Sequence, residues 1–196
     1  MTNLRLRLDV GPDHEARRVA QRDDRQLCDA HGLPIVSLCD TPGFMVGPDI
    51  EAQAQVRHAG RLFVVAAHLR VPFFAVVLRK GYGLGAMAMT AGGFDAPAFT
   101  IAWPSAEFGA MGLEGAVKLG FRKELQAAAE GAERDALYRR LVAQQYEAGS
   151  ALNMATTLEI DAVVDPADTR GWLVRGLQGA ARSGADRPAQ RFIDTW

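Results

Sequence analysis

Few side chains in this sequence are placed to do chemistry. The histidines His14, His31, His58 and His68 are scattered, and no G-x-S-x-G elbow or H-E-x-x-H motif accompanies them. Each therefore reads as a core or surface histidine. The positions that stand out belong to the backbone. Gly81, Gly83 and Gly85 follow an apolar run and precede the small-residue segment Ala86-Met87-Ala88-Met89. Glycine permits positive φ and lets a ligand approach the main chain. A helix beginning there leaves its first N–H groups without intrahelical partners and aims them outward. Two such donors aimed at one oxygen make an oxyanion hole, which stabilises charge that appears only in a transition state. The same glycines also suit tight strand–helix packing with no ligand. The spacing is not a dinucleotide fingerprint, because the third glycine of G-x-G-x-x-G is missing. It is not a P-loop either, since no Gly-Lys-Ser/Thr occurs.

Those glycines need a strand before them and a helix after. Val71 to Leu78 (VPFFAVVL) is apolar almost throughout, as expected of a strand covered on both faces. Leu33 to Leu38 predicts another buried strand that turns polar at Asp40 and breaks at Thr41-Pro42-Gly43. Asp49 is positioned to cap a helix in which Val56, Ala59, Phe63, Ala66 and Ala67 recur at helical spacing. Phe99 to Trp103 predicts a short strand, followed by Pro104 and a stretch dotted with Gly109, Gly112 and Gly115. Residues 122–149 read as helix with a break at Gly131. Leu137, Tyr138, Leu141, Val142 and Tyr146 form its apolar stripe, with Arg134, Arg139 and Arg140 facing water. Leu158 to Val164 predicts a strand and Thr169 to Ala181 a last amphipathic helix. At the start, residues 14–31 are helix-permissive with Gly32 as a stop, and Leu4, Leu6 and Leu8 suggest an edge strand. Strand and helix alternate, which predicts one α/β domain.

Composition excludes several classes. The chain has 196 residues and 48% hydrophobic content, enough for a sizeable core and too apolar for disorder. A formal net charge of -1 recommends neither nucleic acid nor an anionic membrane as partner. No apolar run approaches the ~20 residues that span a bilayer, and Arg5 and Arg7 interrupt the only apolar stretch near the start. Cys28 and Cys39 lack metal-ligand spacing and read as free thiols in a reducing cytoplasm.

Five blocks, SLCDTPGFMVGPDIE, VRHAGRLF, VPFFAVVLRKGYGLGAMAM, AWPSAEFGAMGLEGAV and FRKEL, occur in the order and spacing of a known domain. Through them the chain resembles the C-terminal, carboxybiotin-side domain of biotin-dependent acyl-CoA carboxyltransferases. These include the β chains of propionyl-CoA and acetyl-CoA carboxylases and the α chains of glutaconyl-CoA decarboxylases. The resemblance covers about Asp29 to Thr169. It implies a domain over 29–181, an atypical Arg/Asp-rich extension over 1–28 and a polar tail over 182–196. It also implies a crotonase-like (ClpP/crotonase) superhelix of ββα turns. The implied reaction moves a carboxyl group between N1-carboxybiotin, borne on a biotin carboxyl carrier protein, and the α-carbon of an acyl-CoA. The CoA-binding domain would come from a partner subunit in a homo- or hetero-oligomer. A decarboxylase running the same transfer backwards and a non-catalytic assembly module are the alternatives.

The implied site residues follow from the same blocks. The family's paired amides end a motif resembling RKAYGGA, which places them on Leu84 and Gly85, or one residue on, at Gly85 and Ala86. Gly83 and the loop residues Gly43, Phe44 and Val46 are implied to wall the biotin channel, with Met111 and Gly112 from the segment after AWP. Met87 falls where the family varies near the acyl group, and an apolar residue there favours an aliphatic acyl chain. No metal is implied, since the four-cysteine zinc ribbon of some CoA-side subunits is missing.

Overall fold

The computed structural model describes residues 24–182. The expected edge strand near Leu4, most of the 1–28 extension and nearly all of the 182–196 tail lie outside the described residues. A helical stretch through residues 24–30 closes with Gly32 at φ 66°, the left-handed stop expected from the sequence.

The architecture is α/β, built on one parallel sheet. Its strands are β1 (Ile35–Thr41), β2 (Phe73–Tyr82), β3 (Phe99–Ala102), β4 (Glu107–Gly109) and β5 (Ala162–Val163). They run in the order β1-β2-β3-β5, with β4 also on β2, and every pairing is parallel. Phe73 to Val77 are buried one after another, which is why the sequence there shows no alternation. Successive residues still serve opposite faces. Val76 and Ile101 pack with Val164, Trp103 and Trp172 on one side, while Val77 and Ala102 pack with Cys39, Ala86 and Phe108 on the other.

The helices are α1 (Pro48–Ala52), α2 (Gln55–Ala67), α3 (Gly83–Met89), α4 (Leu113–Gly120), α5 (Arg122–Ala127), α6 (Ala132–Ala148), α7 (Ala151–Thr156) and α8 (Thr169–Arg182). Several expectations need correction. Asp49 caps nothing: Gly47 is the cap residue and Pro48 opens α1. The helix expected from Asp49 onward is two, broken at Ala54, whose φ is 54°. Its buried face carries Gln55, Ala59, Leu62 and Val65, while Val56 is exposed. In α6 only Leu141 of the expected stripe is buried. Arg134 does not simply face water, because its guanidinium donates to Ala128 O at 3.1 Å and Glu130 Oε1 at 3.3 Å. The glycine-dotted stretch after Pro104 contains β4.

The last helix is held by close backbone approach. Trp103 Nε1 donates to Thr169 Oγ1 at 3.0 Å, and Trp172 meets Phe99 edge-on. A Cβ added at Gly176 would lie 2.5 Å from the Phe99 ring and 2.8 Å from that of Phe74. Gly176→Ala is therefore expected to destabilise the protein by about 1–3 kcal/mol, as overpacked cores do. Urea denaturation checks this, and unchanged stability would show that α8 sits farther from the sheet.

Candidate active site

The expected glycine turn is more economical than it looked. β2 continues through Gly81 and Tyr82, and α3 starts at once on Gly83. Of the three glycines only Gly83 has positive φ, at 55°. Gly81 and Gly85 serve close packing instead. A Cβ on Gly81 would touch Phe108 and Val77, and one on Gly83 would lie 2.7 Å from Ala110 O. At Gly85 it would lie 2.8 Å from Gly43 Cα and 3.2 Å from Thr41 Oγ1.

Gly85 and Gly43 thus press backbone to backbone. Gly43 adopts φ 98°, and its N–H donates to Thr41 Oγ1 at 3.2 Å. Thr41 ends β1, which runs three residues beyond the expected Leu38. Its hydroxyl turns the loop back across the start of α3, as Ser and Thr do in tight turns. The loop's Phe44 is half-buried, and Met45 and Val46 are exposed. On the other flank, Ala110 to Gly112 join β4 to α4, with Met111 exposed and Gly112 preceding the helix.

In the first turn of α3, Leu84 and Gly85 have no intrahelical acceptor for their N–H groups. No side chain caps this helix. Leu84 is 59% exposed while Gly85 and Ala86 are buried. Ala86 N–H falls where the fourth amide of a helix is paired to the residue four earlier, here Tyr82. The pair Leu84–Gly85 therefore fits a donor role better than Gly85–Ala86. Met87 is half-buried one residue beyond them. The structure brings Gly43, Gly83, Leu84 and Gly85 together; it leaves Val46 and Met111 as exposed apolar residues on two flanking loops.

Four nearby side chains have shifted titrations. Burial pushes the Cys39 thiol up to about 12. Burial and a hydrogen bond to Glu107 push the Tyr82 phenol well above its ordinary value. Tyr146 O–H donates to Glu114 at 2.6 Å, which lifts the phenol to about 12 and lowers the carboxyl. Each shift moves its group away from neutrality, the reverse of what a general base requires. No group of three or more His, Cys, Asp or Glu among the described residues is arranged to hold a metal.

A carboxyl transferase domain matches residues 14–193. The chain belongs to the carboxyl transferase domain family. It is 38% identical over 166 residues to the methylmalonyl-CoA carboxyltransferase 12S subunit of Propionibacterium freudenreichii subsp. shermanii, covering 84% of this chain and 31% of that one. A single-chain, multi-domain long-chain acyl-CoA carboxylase of solved structure is 55% identical, with a TM-score of 0.71 over 81% of this chain and 15% of that one. The transcarboxylase 12S hexamer with methylmalonyl-coenzyme A bound is 32% identical, with a TM-score of 0.80 over 92% of this chain and 34% of that one. The carboxyl transferase domain described here thus spans about a third of the curated relative's length.

Sequence reasoning passed over Thr41, Tyr82 and Ala110. Thr41 was legible as a turn hydroxyl two residues before a glycine. Ala110 was not, because a carbonyl contact leaves no mark in composition.

Cys39 offers a direct check on burial beside the site. Its thiol, normally at 9.0, keeps its proton in the folded chain up to about 12. That contribution to stability is present below pH 9 and declines as pH rises through that window. Iodoacetamide at pH 8 is expected to alkylate half-buried Cys28 in the native protein and to reach Cys39 only after denaturation. Equal labelling of both would mean that β1 opens readily.

Proposed function

We propose that this chain is the carboxybiotin-side half of a biotin-dependent acyl-CoA carboxyltransferase, active with a CoA-binding partner domain or subunit and a biotin carboxyl carrier protein. The observation that carries the reading is the helix start at Gly83, which puts the Leu84 and Gly85 N–H groups in the first turn of α3, against Gly43. The sheet supports a crotonase-like ββα superhelix over 29–181, since β3 and β4 lie in line along β2 and helices close the turns.

The residues suit a ureido oxygen. Carboxybiotin supplies the carboxyl group and, once that group has left, a ring nitrogen able to take the acyl-CoA α-proton. The Leu84 and Gly85 N–H groups donate to the ureido oxygen as it gains negative charge, so their effect is largest in the transition state. The dipoles of the first turn add to them. Gly43 keeps the approach narrow, and Gly83, Phe44 and Val46 from one flank and Met111 and Gly112 from the other border the ring. Met87 lies beyond the donors, where an apolar side chain suits an aliphatic acyl group. No side-chain base is needed, in keeping with phenol and thiol groups held protonated.

The test is an assay of the chain mixed with CoA-side carboxyltransferase subunits, following malonyl-CoA- or methylmalonyl-CoA-dependent carboxylation of free biotin. The chain alone is expected to be inactive and the right mixture active. A folded chain silent with every partner would contradict the proposal and favour an assembly module. Within the active mixture, Leu84→Pro removes an amide, whereas Leu84→Ala trims an exposed side chain and keeps the N–H. Proline is expected to cost about 100-fold more in kcat than alanine, the scale of one lost oxyanion donor. Equal rates in the two variants would remove Leu84 N–H from the mechanism.

A further inference from the structure

The pairing of β1 with β2 is regular from Ile35 opposite Phe73 to Cys39 opposite Val77, and resumes with Thr41 opposite Gly81. Between those points β1 advances by Asp40 alone, while β2 advances by Leu78, Arg79 and Lys80. This is a bulge of three residues against one, and it lies immediately before both halves of the site. A bulge takes backbone groups out of the ladder, and each must find another partner. Ser105 Oγ donates to Leu78 O at 2.8 Å. Asp40 Oδ1 accepts from Lys80 N–H at 3.1 Å. The Arg79 guanidinium holds the same carboxylate, Nη2 to Oδ2 at 3.0 Å and Nε to Oδ1 at 3.4 Å.

We propose that Asp40 is a positioning residue for the Leu84–Gly85 amides, acting through the bulge. By accepting from Lys80 N–H it fixes where β1 ends relative to β2. Thr41 follows directly, and Gly43, bonded to the Thr41 hydroxyl, bears on Gly85. A slip at the bulge therefore reaches the donors within a few residues. Asp40 touches neither biotin nor acyl-CoA in this account. Its structural role stands apart from the carboxyltransferase reading, and only the kinetic consequence rests on that reading.

Amide NMR of the full chain separates the two. In Asp40→Ala the Gly43, Leu84 and Gly85 resonances are expected to move and Lys80 N–H to exchange at least about tenfold faster. Val76 and Ile101, deeper in the same sheet, should keep their shifts. Asp40→Asn retains an oxygen for Lys80 N–H and should return the site amides close to their wild-type positions. Arg79→Gln, an exposed change that loosens the carboxylate, should move the same amides by less and covers the case in which Asp40→Ala fails to fold. Changes confined to Lys80, an asparagine variant no better than alanine, or an Arg79→Gln spectrum without movement at Gly43 and Gly85 would each overturn the proposal. In an active mixture with a CoA-side subunit, Asp40→Ala should lower kcat about tenfold or more with the acyl-CoA KM unchanged, and Asp40→Asn should recover most of it. An inactive wild-type mixture would count against the carboxyltransferase reading alone, since the resonance measurements need no turnover.

Discussion

The contact between Gly43 and Gly85 is the constraint on which the site depends. Two main chains approach so closely that a single methyl group on Gly85 would sit 2.8 Å from Gly43 Cα. Such an approach is open only to glycine, and it does two things together. It closes one side of the first turn of α3, and it fixes where that turn's amides lie against the Gly43 loop. Polar backbone groups denied internal partners cost free energy unless water or a ligand receives them.

The rest of the fold serves to hold these two strand ends in register. β1 and β2 are parallel and both deliver their loops at their carboxyl ends, where open parallel sheets place ligands. β2 is buried from Phe73 through Val77, so its start cannot shift without moving the core on both faces. The bulge near Asp40 then re-aims the last residues of both strands. β4 pairs with the far half of β2 and brings Ala110 against Gly83, so the turn is gripped from two directions. The first turn of α3 thus sits on a packed frame. Electrostatic stabilisation by fixed dipoles needs that rigidity, because it works only if the dipoles do not reorganise during reaction.

Much of this was readable in the sequence, and the exceptions have physical causes. The continuous apolar run before Arg79 announced a doubly covered strand, and the small residues after Gly85 announced a tightly packed helix. Strand ends were harder. β1 and β2 run on into polar residues, Asp40-Thr41 and Arg79-Lys80, because parallel pairing and a bulge stabilise them where hydrophobicity does not. β4 was hidden for the same reason: Glu107-Phe108-Gly109 is too short and too mixed to show a period. α2 misled because it docks through Gln55, Ala59, Leu62 and Val65, leaving Val56 in solvent. The amides proposed as donors were suggested only by glycine spacing and family resemblance, since an amide has the same formula everywhere. Choosing between their registers required the helix start, which the sequence leaves open by one residue.

Titrating the isotopically labelled chain with free biotin, while following every assigned backbone amide, tests the central claim most directly. The account predicts saturable movement led by Leu84 and Gly85, with smaller changes at Gly43 and Met111. Saturable binding whose largest shifts lie elsewhere in the chain, with Leu84 and Gly85 unmoved, would contradict it.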